Sequence, residues 1–315
     1  MKKALKITGK ILLVLLLLIV VFLLILFIYH RVMLKKEDKL LENYPGELVE
    51  VNGHNMNVYS EGEGEHKLVF LAPAGDTAPM MTFKPLYTKL SDTCETVVVE
   101  KFGYGMSDIV DTERDYETMV DECRQALSKA GVQAPYVLCP YSKSGLDALI
   151  WAQKYPEEVE AIVGIDMGFP KHYDSIDTDV PDQSWLYDIL RGMGIARLFT
   201  TDSELGDLCP DEDKPFVRAL VNRKFSNKDT FGEIIHVKDA VDVINSAAKP
   251  AVPMKLFVTN GGGTGLSPEE WKNAVHAYTN DIENVEYTEL DSDHNRIIEE
   301  NSEQMSSEIK DYFNK

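Results

Sequence analysis

The feature that most constrains this chain is an uninterrupted apolar run near its beginning, from Ile11 to Tyr29. A helix over this run would span roughly 28 Å at about 1.5 Å per residue, close to the thickness of the hydrocarbon core of a bilayer. A cleaved signal peptide is the main alternative, but it usually has a shorter apolar part followed by a small-residue cleavage site, whereas His30 and Arg31 follow here. We therefore predict an uncleaved membrane anchor over residues 1–30, with its transmembrane part at about 11–29 and the lipid bilayer as its partner.

Charge is distributed unevenly between this segment and the rest of the chain. The 315 residues include 32 Lys and Arg against 52 Asp and Glu, and residues 1–40 hold eight of the basic residues but only two of the acidic ones. The acidic remainder repels phosphate backbones, so we expect no nucleic-acid partner. Basic residues flank the apolar run equally on both sides, so the positive-inside rule hardly decides the orientation. We expect a single-pass protein of the cell membrane with its body on the extracytoplasmic side.

From about residue 46 the sequence alternates between short β-branched runs and stretches with helical periodicity. Asn52-Gly53 predicts a β-hairpin between Glu47–Val51 and Met56–Ser60. The further predicted strands are Lys67–Ala72, Thr96–Glu100, Tyr136–Cys139, Ala161–Asp166, Lys255–Thr259 and Val285–Leu290. The predicted helices are Asp115–Ala130, Ser144–Tyr155, Pro268–Thr279 and Ser302–Phe313. This alternation predicts an α/β fold, with a mostly parallel sheet covered by helices on both faces.

One stretch, residues 167–252, interrupts the alternation. It has a mostly helical pattern, is rich in Asp and aromatic residues, and lies between two predicted strands. We interpret it as a helical cap inserted into a core formed by residues 46–166 and 253–315. Residues 31–45 are interpreted as a juxtamembrane linker. The aromatic residues of the insertion fit either a pocket lining or the core of the cap itself.

Ser142 lies in the stretch that is most informative about chemistry, because a predicted strand runs directly into this serine and then into a helix. A sharp strand-to-helix turn exposes a serine hydroxyl at the carboxyl edge of a sheet, and it directs the next backbone N–H, that of Lys143, at a developing oxyanion. The usual pattern is G-x-S-x-G. Here Pro140 and Ser144 occupy the glycine positions, and Gly145 follows one residue later. Taken alone, the stretch is also typical of an ordinary turn with a capping serine.

Further segments occur in the order in which one enzyme family carries them. Leu68–Asp76 is a strand followed by a loop of small residues. Glu100–Asp108 resembles a "DxRGxGxSD" segment, and Tyr141–Met167 resembles "HSxSGLEAxYWAxxYPxEVxxIxGxDM". Residues 46–315 therefore resemble the α/β-hydrolase fold family, most closely the membrane-anchored α/β-hydrolases of Gram-positive bacteria. The resemblance implies a catalytic triad in the chain order Ser, acid, His.

The resemblance implies a general base in a loop after the last core strand. Among the seven histidines only His294 has that position, ahead of the last helix. Its expected role is to accept the proton of Ser142 and to return it to the leaving group. The alternative is an ordinary histidine of a surface loop.

The acid of the triad is harder to assign. Most α/β-hydrolases carry it after the penultimate core strand, but that loop here has no carboxylate before Glu269. Some branches carry it one core strand earlier, which corresponds to Asp166. A carboxylate at the end of an apolar strand is costly to bury without a partner, and a triad histidine would be one; the alternative is a structural Asp at the start of the insertion. Asp291 and Asp293 are too close to His294 in sequence to orient its ring easily, so we rank them lower.

The loop expected to supply the second oxyanion donor also departs from the family pattern. Pro73 replaces the second residue of the common His-Gly pair, and proline has no N–H to donate. The N–H of Ala74 is therefore our candidate donor, together with that of Lys143. Pro73, Pro140 and Ser144 together leave open a catalytically impaired protein.

We expect neither a metal nor a cofactor. The four cysteines show no CxxC spacing and no Cys/His cluster typical of zinc. Gly261–Gly265 lies between a predicted strand and a helix, but it lacks the full spacing of a dinucleotide-binding loop and does not belong to the first strand–helix unit. We interpret it as a flexible loop.

These features predict a membrane-anchored serine hydrolase with Ser142, His294 and Asp166 as its triad. Carboxylic esters are the expected substrates, with small amides or peptides, as in iminopeptidases, as the second choice. The alternative is a non-catalytic, membrane-tethered binding module that keeps the fold, which the substituted glycine positions favour. A dehalogenase would need Asp as its nucleophile, and Ser142 argues against one. The sequence indicates no particular oligomeric state.

Overall fold

The computed structural model describes residues 2–179, 181–201, 205 and 209–314. Of the remaining residues, 180, 202–204 and 206–208 belong to the insertion predicted at 167–252, so that part of the prediction lies outside the described residues.

Eight strands form a single sheet. They are β1 Glu47–Val51, β2 His54–Glu61, β3 Lys67–Leu71, β4 Glu95–Glu100, β5 Tyr136–Pro140, β6 Val159–Ile165, β7 Met254–Val258 and β8 Val285–Glu289. Their order across the sheet is β1-β2-β4-β3-β5-β6-β7-β8. β2 pairs antiparallel with β1 and β4, whereas the pairs from β4 to β8 are parallel. The predicted mostly parallel sheet is confirmed, and its parallel strands direct their carboxyl ends to one edge.

The hairpin at the edge of the sheet follows directly from its turn residues. Val51 pairs with His54, so only Asn52 and Gly53 connect β1 to β2. Both residues have positive φ angles, of 53° and 82°. A two-residue turn of type I′ needs this conformation at both positions, and Asn and Gly adopt it at the lowest cost. The turn therefore fixes the register of the two strands.

Helices cover both faces of this sheet, and further helices lie in the N-terminal segment and in the insertion. They are α1 Lys2–Leu41, α2 Pro79–Leu90, α3 Tyr116–Lys129, α4 Gly145–Lys154, α5 Ser184–Gly192, α6 Lys214–Lys224, α7 Lys228–Ile235, α8 Val237–Ser246, α9 Pro268–Thr279 and α10 Ile297–Phe313. α9 has its predicted bounds, because Ser267 and Glu270 form a capping box at its beginning. α2 is absent from the sequence-based prediction. Pro79 opens it and Pro85 lies inside it, and a proline within a helix normally signals a break.

The central strands are buried on both faces, which explains their continuous apolar sequences. In β3, Leu68 and Phe70 belong to one apolar cluster with side chains of α2 and α10. Val69 and Leu71 belong to a second cluster, with side chains of α3, α4 and α8. Because neighbouring residues of a strand point to opposite faces, a strand covered on both sides must be apolar throughout.

The N-terminal helix is longer than the apolar run that predicts it. α1 continues without a break to Leu41, so most of the segment interpreted as a juxtamembrane linker, 31–45, is helical. The reason is a stripe of buried side chains at helical spacing, His30, Glu37 and Leu41, that packs against the body. Among the described residues, α1 is the one helix long and apolar enough to cross a membrane.

The described part of the chain between β6 and β7 consists of helices joined by loops. It contains α5 to α8 and two short 3₁₀ helices, Pro170–Tyr173 and Ile195–Leu198. α6 packs against α1, and α8 packs against α4. This segment therefore lies between the N-terminal helix and the helices that cover the sheet.

Candidate active site

Ser142 follows β5 in a tight turn. Its φ of 57° is a left-handed conformation that non-glycine residues rarely adopt, and sharp strand-to-helix turns impose it on a nucleophile. The 3₁₀ turn Ser142–Ser144 leads directly into α4. The N–H of Gly168 donates a hydrogen bond of 2.6 Å to the carbonyl oxygen of Ser142, which ties the turn to the loop after β6. The serine itself remains partly exposed at the carboxyl edge of the sheet.

Contacts explain two departures from the G-x-S-x-G pattern. Ser144, at the second glycine position, is buried, and its Oγ donates to the carbonyl oxygen of Leu71 at 2.7 Å. The same Oγ accepts a hydrogen bond of 2.9 Å from the N–H of Tyr141. The small residue is needed one position later, because a Cβ on Gly145 would lie 2.2 Å from the carbonyl oxygen of Gly168. The glycine thus lies where the start of α4 closely approaches the loop after β6.

His294 and Asp166 meet Ser142 at this edge of the sheet. Nε2 of His294 lies 2.8 Å from Oγ of Ser142, and Nδ1 lies 2.6 Å from Oδ2 of Asp166. Asp166 directly follows β6, and His294 begins a 3₁₀ turn just before α10. The structure therefore brings together all three side chains predicted for the triad, in a relay from hydroxyl to imidazole to carboxylate.

Asp166 is buried and has a full set of hydrogen-bond donors. Its Oδ1 accepts from the N–H of Thr259 at 2.9 Å and from Nε1 of Trp271 at 2.8 Å. The hydroxyl of Thr259 donates to Oδ2, which His294 also contacts. Such donors stabilise an ionised carboxylate away from water. The sequence analysis did not identify Thr259 or Trp271 as partners of Asp166. Thr259 could have been found, because it follows β7, the strand that pairs with β6.

The loop that carries His294 is held through its backbone. The hydroxyl of Tyr141 donates to the carbonyl oxygen of His294 at 2.7 Å, and the N–H of His294 donates to the carbonyl oxygen of Gly262 at 3.0 Å. A Cβ on Gly262 would lie 2.2 Å from Oδ1 of Asp293. The glycine-rich stretch Gly261–Gly265 therefore allows two loops to pack closely beside the histidine.

A buried cluster of ionisable side chains lies behind the turn, and the sequence analysis did not identify it. Nζ of Lys101 is 2.8 Å from Oε1 of Glu233 and 3.3 Å from Oδ2 of Asp147. Nζ of Lys143 is 3.8 Å from the same oxygen of Glu233. Burial lowers the pKa of the Lys143 ammonium group and raises that of the Asp147 carboxyl group. Through Lys101, the Glu100–Asp108 motif connects the sheet edge to α4 and to the insertion.

Ala74, the second candidate oxyanion donor, lies exposed in the loop after β3. The N–H of Asp76 donates to the carbonyl oxygen of Pro73 at 3.3 Å, and Gly75 has a φ of 72°. These features define a type II turn with Ala74 at its second position. The N–H of Gly75 donates to the hydroxyl of Tyr104 at 2.9 Å. Because the N–H of Gly75 is engaged, that of Ala74 remains the candidate donor in this loop.

The relay faces space that is large enough for a small molecule. Ser142 and His294 line a pocket of about 420 Å³ together with Trp271 and residues of the insertion such as His172. A neighbouring cavity of about 640 Å³ shares Asn295 with this pocket. Volumes in this range are typical of sites for small-molecule ligands.

Possible metal ligands do not cluster in the described part of the chain. No group of three or more His, Cys, Asp or Glu residues in that part is arranged to hold an ion. The cysteines, Cys94, Cys123, Cys139 and Cys209, are free. The expectation that the protein needs neither a metal nor a cofactor stays a prediction.

Comparison with solved structures shows which fold the chain has. An epoxide hydrolase from Bacillus megaterium matches this chain with a TM-score of 0.66 and 15% sequence identity, and the match covers 85% of this chain and 100% of that one. This chain has the α/β-hydrolase fold. The resemblance inferred from the Glu100–Asp108 and Tyr141–Met167 segments is thereby confirmed.

Sequence comparison adds closer relatives of this α/β-hydrolase. YbdG of Bacillus subtilis, an uncharacterized protein, is 34% identical over 238 residues, which is 73% of each chain, so the two proteins belong to the same family. The 2-(acetamidomethylene)succinate hydrolase of Mesorhizobium japonicum is 29% identical over 118 residues, or 38% of this chain and 41% of that one. No family model matches the chain. YbdG agrees with the predicted relationship to Gram-positive proteins.

Proposed function

We propose that this protein hydrolyses carboxylic esters through an acyl-enzyme on Ser142. The observation that carries the proposal is the relay in which His294 lies 2.8 Å from the serine hydroxyl and 2.6 Å from the Asp166 carboxylate. At these distances His294 can accept the proton of the attacking hydroxyl, and the buried carboxylate stabilises the imidazolium that forms.

In the first half of the proposed reaction, Oγ of Ser142 forms a bond to the acyl carbon while Nε2 of His294 takes its proton. The N–H groups of Lys143 and Ala74 bind the oxyanion that develops. His294 then returns the proton to the leaving alkoxide, and the alcohol departs. In the second half, water attacks the acyl carbon while His294 takes its proton. The bond from the acyl carbon to Oγ of Ser142 then breaks, His294 returns the proton to Oγ, and the carboxylic acid leaves.

The type of nucleophile narrows the reaction within the fold family. A dehalogenase would need a carboxylate at the turn, whereas this chain has the hydroxyl of Ser142, which favours acyl transfer. Esters are our first choice, because an alkoxide leaves more readily than an amine. Small amides or peptides are the second choice.

We also propose that α1 anchors the protein in the cell membrane through residues 11–29, with the body on the extracytoplasmic side. Large apolar side chains along this run, such as Leu12, Leu18 and Ile25, are exposed, which is unfavourable in water and favourable in lipid. In this proposal residues 46–166 and 253–315 form the catalytic core, and 167–252 form the cap. Labelling of an engineered exposed cysteine on intact cells would test the orientation.

The enzymatic proposal is tested by labelling the full chain in detergent with a fluorophosphonate and by assaying a short-chain p-nitrophenyl ester. We expect label and turnover in the wild-type protein and neither in Ser142→Ala, with turnover lost in His294→Ala. Ser175 lines the same pocket, so Ser175→Ala is a matched control that should keep both activities. A folded wild-type protein without label or turnover would contradict the proposal and favour the binding-module alternative.

A further inference from the structure

The insertion exposes a group of large apolar side chains. Trp185 and Phe199 are 62% and 69% exposed. The group, which we call the apolar cap surface, consists of Trp185, Leu186, Ile189, Leu198, Phe199 and Phe225. Among the described residues from 47 onward, only three other large apolar side chains are comparably exposed, and they are scattered at Leu48, Ile234 and Tyr287.

Contacts within the insertion hold this group together. α5 packs against the 3₁₀ turn Ile195–Leu198, so both carriers of the exposed side chains are neighbours. The guanidinium of Arg191, on α5, donates to the carbonyl oxygen of Phe225 at 2.9 Å. The rings of Tyr187 and Phe225 are 6.1 Å apart. A group of exposed apolar side chains on neighbouring elements is typical of an interaction site.

The same part of the insertion is fixed to α1 where the apolar run ends. Gly194 lies so close to His30 that a Cβ on the glycine would be 2.5 Å from Cβ of the histidine. Nε of Arg197 donates to Nδ1 of His30 at 2.8 Å, and its guanidinium forms two hydrogen bonds with Glu37, of 2.6 and 2.8 Å. Arg223 donates to the same carboxylate at 2.7 Å. These buried contacts fix the position of the insertion along the axis of α1.

The contact continues into the apolar run itself. Leu26 is 7% exposed, whereas Ile25 and Ile28, on other faces of α1, are 61% and 55% exposed. The body therefore covers one face of the helix at a position about 4.5 Å before the end of the run. If the run crosses a bilayer, the part of the body beside it reaches the boundary between headgroups and acyl chains.

We infer that the apolar cap surface lies in the lipid interface of the membrane that α1 enters; the inference rests on the proposed membrane anchoring. Trp and Phe side chains are stabilised at this interface, and burying apolar area there removes it from water. The basic side chains that follow the apolar run on α1, Arg31, Lys35, Lys36 and Lys39, are exposed and can pair with phospholipid headgroups. Phospholipid is thus the occupant that the continuity with α1 favours.

The test uses the fluorescence of Trp185 in the full chain, reconstituted into phosphatidylcholine vesicles with and without bromine atoms on the acyl chains. Of the three tryptophans, Trp151 and Trp271 are 0% and 4% exposed, so subtraction of the Trp185→Phe signal isolates the exposed one. We expect brominated lipid to reduce the Trp185 signal by at least about twofold, because the indole contacts acyl chains. The matched control is Trp185→Phe with Tyr287→Trp, which carries an exposed tryptophan on β8 and should show little quenching.

Each outcome bears on the inference in a defined way. Quenching of Trp185 but not of the tryptophan on β8 supports it. Retention of the protein in the vesicles after an alkaline wash without quenching of Trp185 overturns it and leaves the anchor proposal intact, whereas loss of the protein in that wash overturns both. A disulfide between two copies carrying Phe199→Cys, again without quenching, would show that a second copy covers the surface and would also overturn it. Fluorophosphonate labelling reports on the catalytic proposal separately.

Discussion

The two sides of the candidate active site are held in place very differently. On one side, Asp166 is buried and accepts hydrogen bonds from Thr259 and Trp271 as well as His294. On the other side, Ala74 is exposed in a turn closed by one hydrogen bond of 3.3 Å, and the neighbouring contact is that of Gly75 with Tyr104. The relay is thus fixed by many contacts and the oxyanion loop by few.

The difference reflects when the charge appears. In the proposed reaction Asp166 acts as a carboxylate, and a buried carboxylate without donors would be strongly destabilising. The oxyanion of the proposed reaction exists only while the bond is being made or broken, so its donors must be unoccupied beforehand. Substitutions on the relay side should therefore affect activity through the charge itself, and those on the loop side through a single N–H group.

Among the substitutions that distinguish the two sides, Asp166→Asn is expected to lower activity the most. The amide keeps the size of the side chain and can still accept from Thr259 and Trp271, but it cannot stabilise an imidazolium at His294. We expect kcat for a p-nitrophenyl ester to fall by about 10⁴-fold, as for the equivalent change in other serine enzymes, with the unfolding temperature nearly unchanged.

The Asp166→Asn variant also tests whether another acid could orient His294. Activity that survives in Asp166→Asn would mean that another acid orients His294, and Asp291 or Asp293 would have to be reconsidered. Asp291→Asn and Asp293→Asn are therefore the matched variants, and we expect both to keep activity within about tenfold of the wild type.

On the loop side, Ala74→Pro removes one N–H group and little else. Ala74 occupies the second position of a type II turn, where proline is favoured, so the backbone should keep its conformation. We expect kcat to fall by about 10²- to 10³-fold, the usual cost of one oxyanion donor. The fold and the pocket that binds the fluorophosphonate should be retained. Steady-state kinetics of the purified full chain measure this directly.

The control for that prediction is Ala74→Gly, which keeps the N–H group and should stay within about tenfold of the wild type. If Ala74→Pro were as active as Ala74→Gly, the loop after β3 would contribute no donor, and the N–H of Lys143 would have to act with a different partner. Circular dichroism of both variants verifies that the turn change leaves the fold intact.

Thr259→Val should have a smaller effect than either change. It removes the hydroxyl that donates to Oδ2 of Asp166 and accepts from the N–H of Gly261 at 3.0 Å, but it keeps the backbone N–H that donates to Oδ1. Loss of one hydrogen bond to a charged group costs about 1.5–3 kcal/mol, so we expect kcat/KM to decrease by about 10- to 100-fold. Thr259→Ser restores the hydroxyl and should recover most of the activity; equal defects in the two variants would assign the effect to packing instead.

The relay itself was accessible to sequence reasoning, because each of its residues follows a strand at the same edge of a parallel sheet. Ser142 follows β5, Asp166 follows β6 and His294 comes after β8. Strand patterns, chain order and family motifs define such positions without any knowledge of side-chain contacts. The positions are predicted by topology, and the structure adds the distances between them.

Neither the buried cluster behind the turn nor the partners of the relay were accessible in this way. Lys101 and Glu233 are 132 residues apart in the chain, and no local pattern in the insertion indicates that a helix there supplies a buried carboxylate. Trp271 lies inside α9, where an aromatic residue is typical of ordinary packing. The burial of Glu37, in the segment predicted as a linker at 31–45, was missed for a related reason, since Glu37 is polar in sequence but is buried by guanidinium groups of the insertion.

The smallest expected effect is a change in stability at Asp76, which lies two residues after Ala74. Burial of Asp76 raises the pKa of its carboxyl group to about 6. The folded protein therefore binds the carboxyl proton more tightly than the unfolded chain does. This contribution to the free energy of unfolding is fully present below the pKa of the unfolded chain, about 4, and is lost as pH rises through about 6. Asp76→Asn stays neutral, so we expect the variant to gain about 1–2 kcal/mol over the wild type between pH 4 and 8. Thermal unfolding of both proteins across this pH range measures the difference. Parallel stability curves would mean that the carboxyl group of Asp76 is solvated in the folded protein and that its pKa is not raised there.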